Sequence, residues 1–268
     1  MLDELSSKKA EPRSHALAEA GPGLARTGYT VFAPMVKIFP FDEDILDALV
    51  TSLSPERMAT YMAAADGDRE KAMRLYTWNT AISAAFYGPL QGLEVALRNA
   101  MHRELTATYG LDWYDNPACR FDAGALRRIA AAKEDVRREG HAVDPPHLVA
   151  TLSFGFWVSI LGTGGRGPAH DPGKRNYEMS LWRPCLYRAF PGVKMRRADI
   201  HRQLDFLRTF RNRIAHHEPI FARHLEADYR SILTVAGWIC PRTRDWIEHH
   251  SRVEDLLRLP QDAQGIAF

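Results

Sequence analysis

The sequence predicts an all-α fold, and three observations carry the prediction. Beyond residue 36, apolar residues recur at helical spacing over most of the chain. Helix-start signals such as Ser54-Pro55 and Pro145-Pro146 alternate with Gly- and Pro-bearing stops. No alternating run of β-branched residues marks a strand.

Residues 1–36 carry Ser6-Ser7-Lys8-Lys9, Glu11-Pro12-Arg13-Ser14 and Gly21-Pro22-Gly23 without sustained apolar periodicity, and read as a flexible leader, with Met35 as an alternative start. Residues 37–260 read as a single helical domain. Asp42, Glu43 and Asp44 suit the positive end of a short helix whose apolar face is Ile45, Leu46, Leu49 and Val50. Ser54 as N-cap with Pro55 behind it opens a second helix through about residue 65. A third is expected over 68–86, with a break or kink at Gly88-Pro89. From 90 to 109, Leu93, Leu97, Ala100, Met101 and Leu105 form one stripe, with Glu94 and Arg98 as an i,i+4 pair beside it. Further helices are predicted over 122–139, 145–161, 176–190, 196–217, 222–239 and 241–258, and the Gly-rich stretch 162–173 as the most flexible interior loop.

The formal net charge of +2 gives no global polyanion-binding signal. Cys119, Cys185 and Cys240 are widely separated, with no C-x-x-C pair, so neither a zinc site nor a disulfide framework is suggested. The longest apolar stretches, around 148–161 and 231–240, fall short of a bilayer span, and a basic-then-apolar start is lacking, so a cytoplasmic protein without membrane partners is expected. Gly162–Gly167 lacks the Lys-Ser/Thr of a phosphate-cradling loop, and adjacent His249 and His250 on a helix diverge by about 100°, so no cofactor and no metal site are expected. Trp157, Trp182, Trp238 and Trp246 sit on apolar runs as core or interface residues.

The predicted helix over 196–217 carries the chemistry. Leu204, Leu207, Phe210 and Ile214 define its buried face, while Arg208, Asn212 and His216 share one ridge. Arg211 lies about 60 to 140° round the cylinder from that ridge. Pro219 disfavours helix at Glu218, so the helix should end near His217. Between Lys194 and His224, the basic residues Lys194, Arg196, Arg197, Arg202, Arg208, Arg211, Arg213 and Arg223 face only Asp199, Asp205 and Glu218, a local formal charge of +5. Such a set suits RNA cleavage: a base takes the 2′-OH proton, an acid protonates the leaving 5′-oxygen, and a guanidinium balances charge on the phosphate. His216 is then the acid or base, Arg211 the phosphate clamp and Asn212 the polar positioner. His217, Glu218, Arg208, Arg213, Glu94 and Arg98 are supporting or RNA-binding candidates, with helix capping for His217 and Glu218 and a plain ion pair for Glu94 and Arg98 as the structural alternatives. Arg98 and His102 are one residue too close to repeat the motif.

The stretch R-N-R-I-A-H-H-E-P-I-F at 211–221 resembles the R-N-x-x-x-H signature of the Abi-like proteins linked to bacterial abortive infection. Three more segments resemble the same family: G-L-E-V-A-L-R-N at 92–99, S-F-G-F-W-V-S-I-L at 153–161 and Y-E-M-S-L-W-R-P at 177–184. The resemblance implies a HEPN-like helical bundle with additional N-terminal helices, a homodimer that brings two motifs together, and a metal-independent endoribonuclease serving as toxin or abortive-infection effector in phage defence. It places the catalytic pair on Arg211 and His216, with Asn212 between them. The partners implied are RNA, a second copy of the chain, and an antitoxin or other defence-system protein. The alternative is a module that binds RNA or protein without turnover.

Overall fold

A computed structural model describes residues 38–268; the leader expected at 1–36 lies outside the described residues. The described chain is predominantly helical and contains no strand, only an isolated bridge between Arg166 and Lys174. The elements are α1 (Glu43–Leu53), α2 (Pro55–Ala64), α3 (Arg69–Tyr109), α4 (Ala123–Arg138), α5 (Pro145–Thr151), α6 (Phe154–Ser159), α7 (Arg197–Ala215), α8 (Leu225–Ile239), α9 (Pro241–His250) and α10 (Val253–Leu257). No described helix is long and apolar enough to cross a membrane.

Starts follow the sequence signals. Asp42, Ser54, Asp68, Asp122, Asp144 and Ser153 each accept a hydrogen bond from a backbone N–H in the first turn of the helix they precede. Four expectations fail, one of them the single helix over 241–258, which divides into α9 and α10 at Ser251-Arg252. The helix does not stop at Gly88-Pro89, because α3 runs through it for 41 residues. Pro89 removes one backbone donor, but Phe86, Pro89, Leu90 and Leu93 are all buried there, and that burial outweighs a single lost hydrogen bond. The span 145–161 is two helices, since Ser153 caps a new one with its hydroxyl. The span 176–190 is a wide π-type turn at Glu178–Trp182 followed by a tight turn at Leu186–Ala189.

α3 is the spine of the molecule. Most of its length lies in the main core, against α8, α9, α6 and α10, with Phe86 edge-on to Phe210 of α7 at 4.9 Å. Its first turns join α1 and α2 in a second core of Leu46, Met58, Tyr61, Ala72, Met73 and Leu75. Phe221 packs against both.

The Gly-rich loop is tied down at several points. The Asp122 carboxylate caps α4 at Ala125 and also accepts from the Gly165 amide, at 2.8 Å each. Buried Arg175 pairs with Asp171 at 2.8 Å, and its own amide donates to the Gly165 carbonyl. Of the tryptophans expected to be core or interface residues, Trp157 and Trp182 are core, Trp238 is half-buried and Trp246 is 58% exposed.

Burial holds the His102 and His201 imidazoles below their ordinary value of 6.5, and His102 accepts a 2.9 Å hydrogen bond from the Trp113 indole through Nδ1. The unfolded chain takes these protons more readily, so their contribution to stability is complete above pH 6.5 and is lost as pH falls below it. The thermal midpoint should therefore drop between neutral pH and pH 5.5, with a shallower drop in the His102→Gln/His201→Gln double variant. Equal slopes in calorimetric scans of the two proteins would contradict this.

Candidate functional site

The end of α7 is built by its sequence. Ile200, Leu204, Leu207, Phe210 and Ile214 bury one face, and the helix closes at Ala215 with His216 as C-cap. His217 adopts φ +56°, the left-handed conformation usual for a glycine at this position. Its amide donates to the Ile214 carbonyl, and the Glu218 amide to that of Arg213, at 3.0 and 2.9 Å. This double closure satisfies carbonyls that would otherwise be orphaned, and Pro219 then prevents continuation.

Two other elements fix where this end lies. Arg57 of α2 donates to the His217 carbonyl at 2.8 Å. Asn79 of α3, only 5% exposed, accepts through its side-chain carbonyl from the Ile220 and Phe221 amides at 2.8 and 3.1 Å. Ile220 is fully buried. Ile220 and Phe221 at the end of the 211–221 segment thus anchor the chain, while of its first six residues Ile214 is buried and His216 is exposed.

The candidate residues separate into two groups. Arg211, Glu94 and Arg98 meet in a cleft of about 270 Å³ between α3 and α7. Arg211 Nε lies 3.7 Å from the Glu94 carboxylate, so the partner of Glu94 is Arg211 across the helices. The i,i+4 pair with Arg98 does not form: Arg98 reaches over to the Ala150 carbonyl at 3.4 Å. Asn212 is half-buried and His216 exposed, away from that cleft, and neither side chain has a hydrogen-bonding partner among the described residues. Within one chain, Arg211 and His216 are therefore not brought together.

Arg213, Glu218 and Arg208 have structural partners. Arg213 pairs with Glu218 at 3.2 Å across the turn and also reaches the Pro219 carbonyl. Arg208 binds Asp205 at 2.8 Å. His217 lines a second cleft, of about 360 Å³, with Arg57, Tyr61, Asn79 and Ser83.

The +5 stretch is largely neutralised in three dimensions. Arg196 and Arg202 share Asp199, Arg197 takes Glu178, Arg211 takes Glu94, and Arg223 grips buried Asp228 through both carboxylate oxygens. Carboxylates from α3, α8 and the π-type turn supply what the local sequence lacks. Of the eight cations, Lys194 alone has no ion pair among the described residues.

Burial pushes the Cys119 thiol up to about 12 and the Cys185 thiol up to about 11, which makes both poor nucleophiles. Among the described residues no group of three or more His, Cys, Asp or Glu has the arrangement of a metal site. His249 and His250 are exposed at the end of α9. Sequence reasoning missed Asn79, Arg57 and Tyr87; the last is 60% exposed and lines both clefts. Comparison with known protein families, with curated proteins and with solved structures returns no significant match.

Replacing Asn79 with Ala leaves the two amides of Ile220 and Phe221 without their acceptor in the interior. At roughly 1–3 kcal/mol for each orphaned group, partly relieved by relaxation, the expected loss is about 2–4 kcal/mol. Urea unfolding measures it, and a loss below about 0.5 kcal/mol would remove Asn79 from the account.

Proposed function

We propose that the chain is a HEPN-type endoribonuclease of the Abi-like kind, cutting RNA without a metal ion as a homodimer and serving as an abortive-infection or toxin effector in phage defence. One observation carries the reading. The R-N-x-x-x-H segment occupies a helix end whose buried face is fully committed to packing, while His216 remains exposed and uncommitted and Arg211 lines an open cleft. A rigid helix end presenting one imidazole and one guanidinium suits cleavage by the adjacent 2′-hydroxyl, in which one group moves protons and the other balances the phosphate charge.

The separation of Arg211 from His216 within one chain is the reason for a dimer. A second copy of the helix end brings an imidazole to a phosphate that Arg211 holds. Glu94 keeps the guanidinium at the cleft wall and has to share it with that phosphate, at some cost in binding. The same ion pair favours a second reading, a module that holds RNA or protein without turnover.

Incubation of labelled RNA with the purified chain in EDTA distinguishes them. Cleavage that leaves 2′,3′-cyclic ends supports the nuclease, and retention of intact RNA supports the binder. Arg211→Ala and His216→Ala are each expected to lower the cleavage rate by at least about 100-fold and to relieve growth arrest, with unchanged helical circular dichroism. A double variant that cuts as fast as the parent would discard the site.

A further inference from the structure

The two clefts beside α7 are halves of one trough. They share Tyr87 and Ile214, so Tyr87 stands at the divide, 60% exposed, with one half on either side. Each half holds an arginine with no carboxylate partner among the described residues: Arg98 in the first and Arg57 in the second. In contrast with α7, whose arginines are all paired with carboxylates, these two donate only to backbone carbonyls, those of Ala150 and His217, and keep their charge without a counter-ion. Each half also holds a buried donor without a partner, the Arg98 Nε in the first and the Tyr61 hydroxyl in the second. Burial pushes that hydroxyl up to about 12, so it stays protonated as a donor.

The geometry points to Tyr87 as a stacking platform for one unpaired base of a single-stranded RNA, with Arg57 and Arg98 taking the phosphates on its two sides. This assignment rests on the RNA reading above and specifies the form of RNA. An exposed aromatic ring between two cationic recesses matches the way single strands are held, since every base offers a π-face while the backbone seeks positive charge. The volumes of the halves, about 270 and 360 Å³, are those of small-ligand sites and give no room to a duplex, whose bases are already stacked and paired. Arg211 lies in the half that contains Arg98. A base on Tyr87 therefore sets which neighbouring phosphate reaches Arg211, and Tyr87 becomes a residue that determines where the strand is engaged.

The test measures fluorescence anisotropy of a labelled single-stranded oligoribonucleotide of about ten residues, 2′-O-methylated so that it is not cut, against the full chain and its variants. Tyr87→Ala is expected to weaken binding about 5- to 150-fold, the range for loss of one base–aromatic stack, while Tyr87→Phe and Tyr87→Trp bind as the parent does. Arg57→Gln and Arg98→Gln should each flatten the salt dependence of binding. A duplex of the same sequence should bind more weakly than the single strand. If the parent binds the oligonucleotide and Tyr87→Ala binds it equally well, the platform is wrong and the RNA reading stands. If the parent binds no RNA, both fall. If Tyr87→Ala leaves RNA binding intact and changes the oligomeric state on size exclusion, the ring belongs to a protein interface and the proposal is overturned.

Discussion

The side-chain carbonyl of Asn79 accepting from the Ile220 and Phe221 amides is the constraint on which the site depends. Without it the chain beyond Pro219 loses its hydrogen-bonded tie to α3, because the helix has ended and Pro219 offers no donor. An apolar residue at position 79 would leave the two donors unsatisfied, and the shorter side chain of a serine or threonine would lack the reach of the amide. With the amide in place, Ile220 enters the main core, Phe221 touches both cores, and the helix end is held against α3. Arg57 acts on the same turn from α2 through the His217 carbonyl. Three elements distant in sequence thus converge on the five residues from His217 to Phe221.

Charge is handled locally. A stretch that reads as +5 along the sequence is answered by carboxylates that arrive from elsewhere in the fold. Most of these pairs are partly exposed and contribute little to stability. Their larger effect is on the field: they quench α7 as a general basic stripe, whereas Arg57 and Arg98, which line the two clefts beside it, have no carboxylate partner among the described residues.

The helices were legible because apolar spacing and capping residues act within a few positions of each other. The boundaries of α7 fell within two residues of expectation, and so did those of α2 and α4. Pro89 misled because the sequence displays the missing donor and conceals the burial around it. Ser153 misled in the opposite direction, since a cap inside an apolar run is easily read through. Glu94 and Arg98 were paired by helical spacing, but spacing gives only proximity, and Arg211 offered Glu94 a partner across the groove. Asn79 and Tyr87 carried no local signal at all. Their significance arises from partners more than a hundred residues away, or from the shape of a recess that no single segment encloses.

α3 is continuous from the second core into the main one, about 60 Å in length. Two hydrophobic cores that share one uninterrupted helix, and are joined again by Phe221, cannot melt separately without breaking that helix or exposing that ring. The trough lies across the seam, with Arg57 and Tyr61 contributed from one side and Arg98 and Arg211 from the other. Whatever settles there is clasped by both halves of a single cooperative unit, so occupancy is felt as resistance to unfolding throughout the domain.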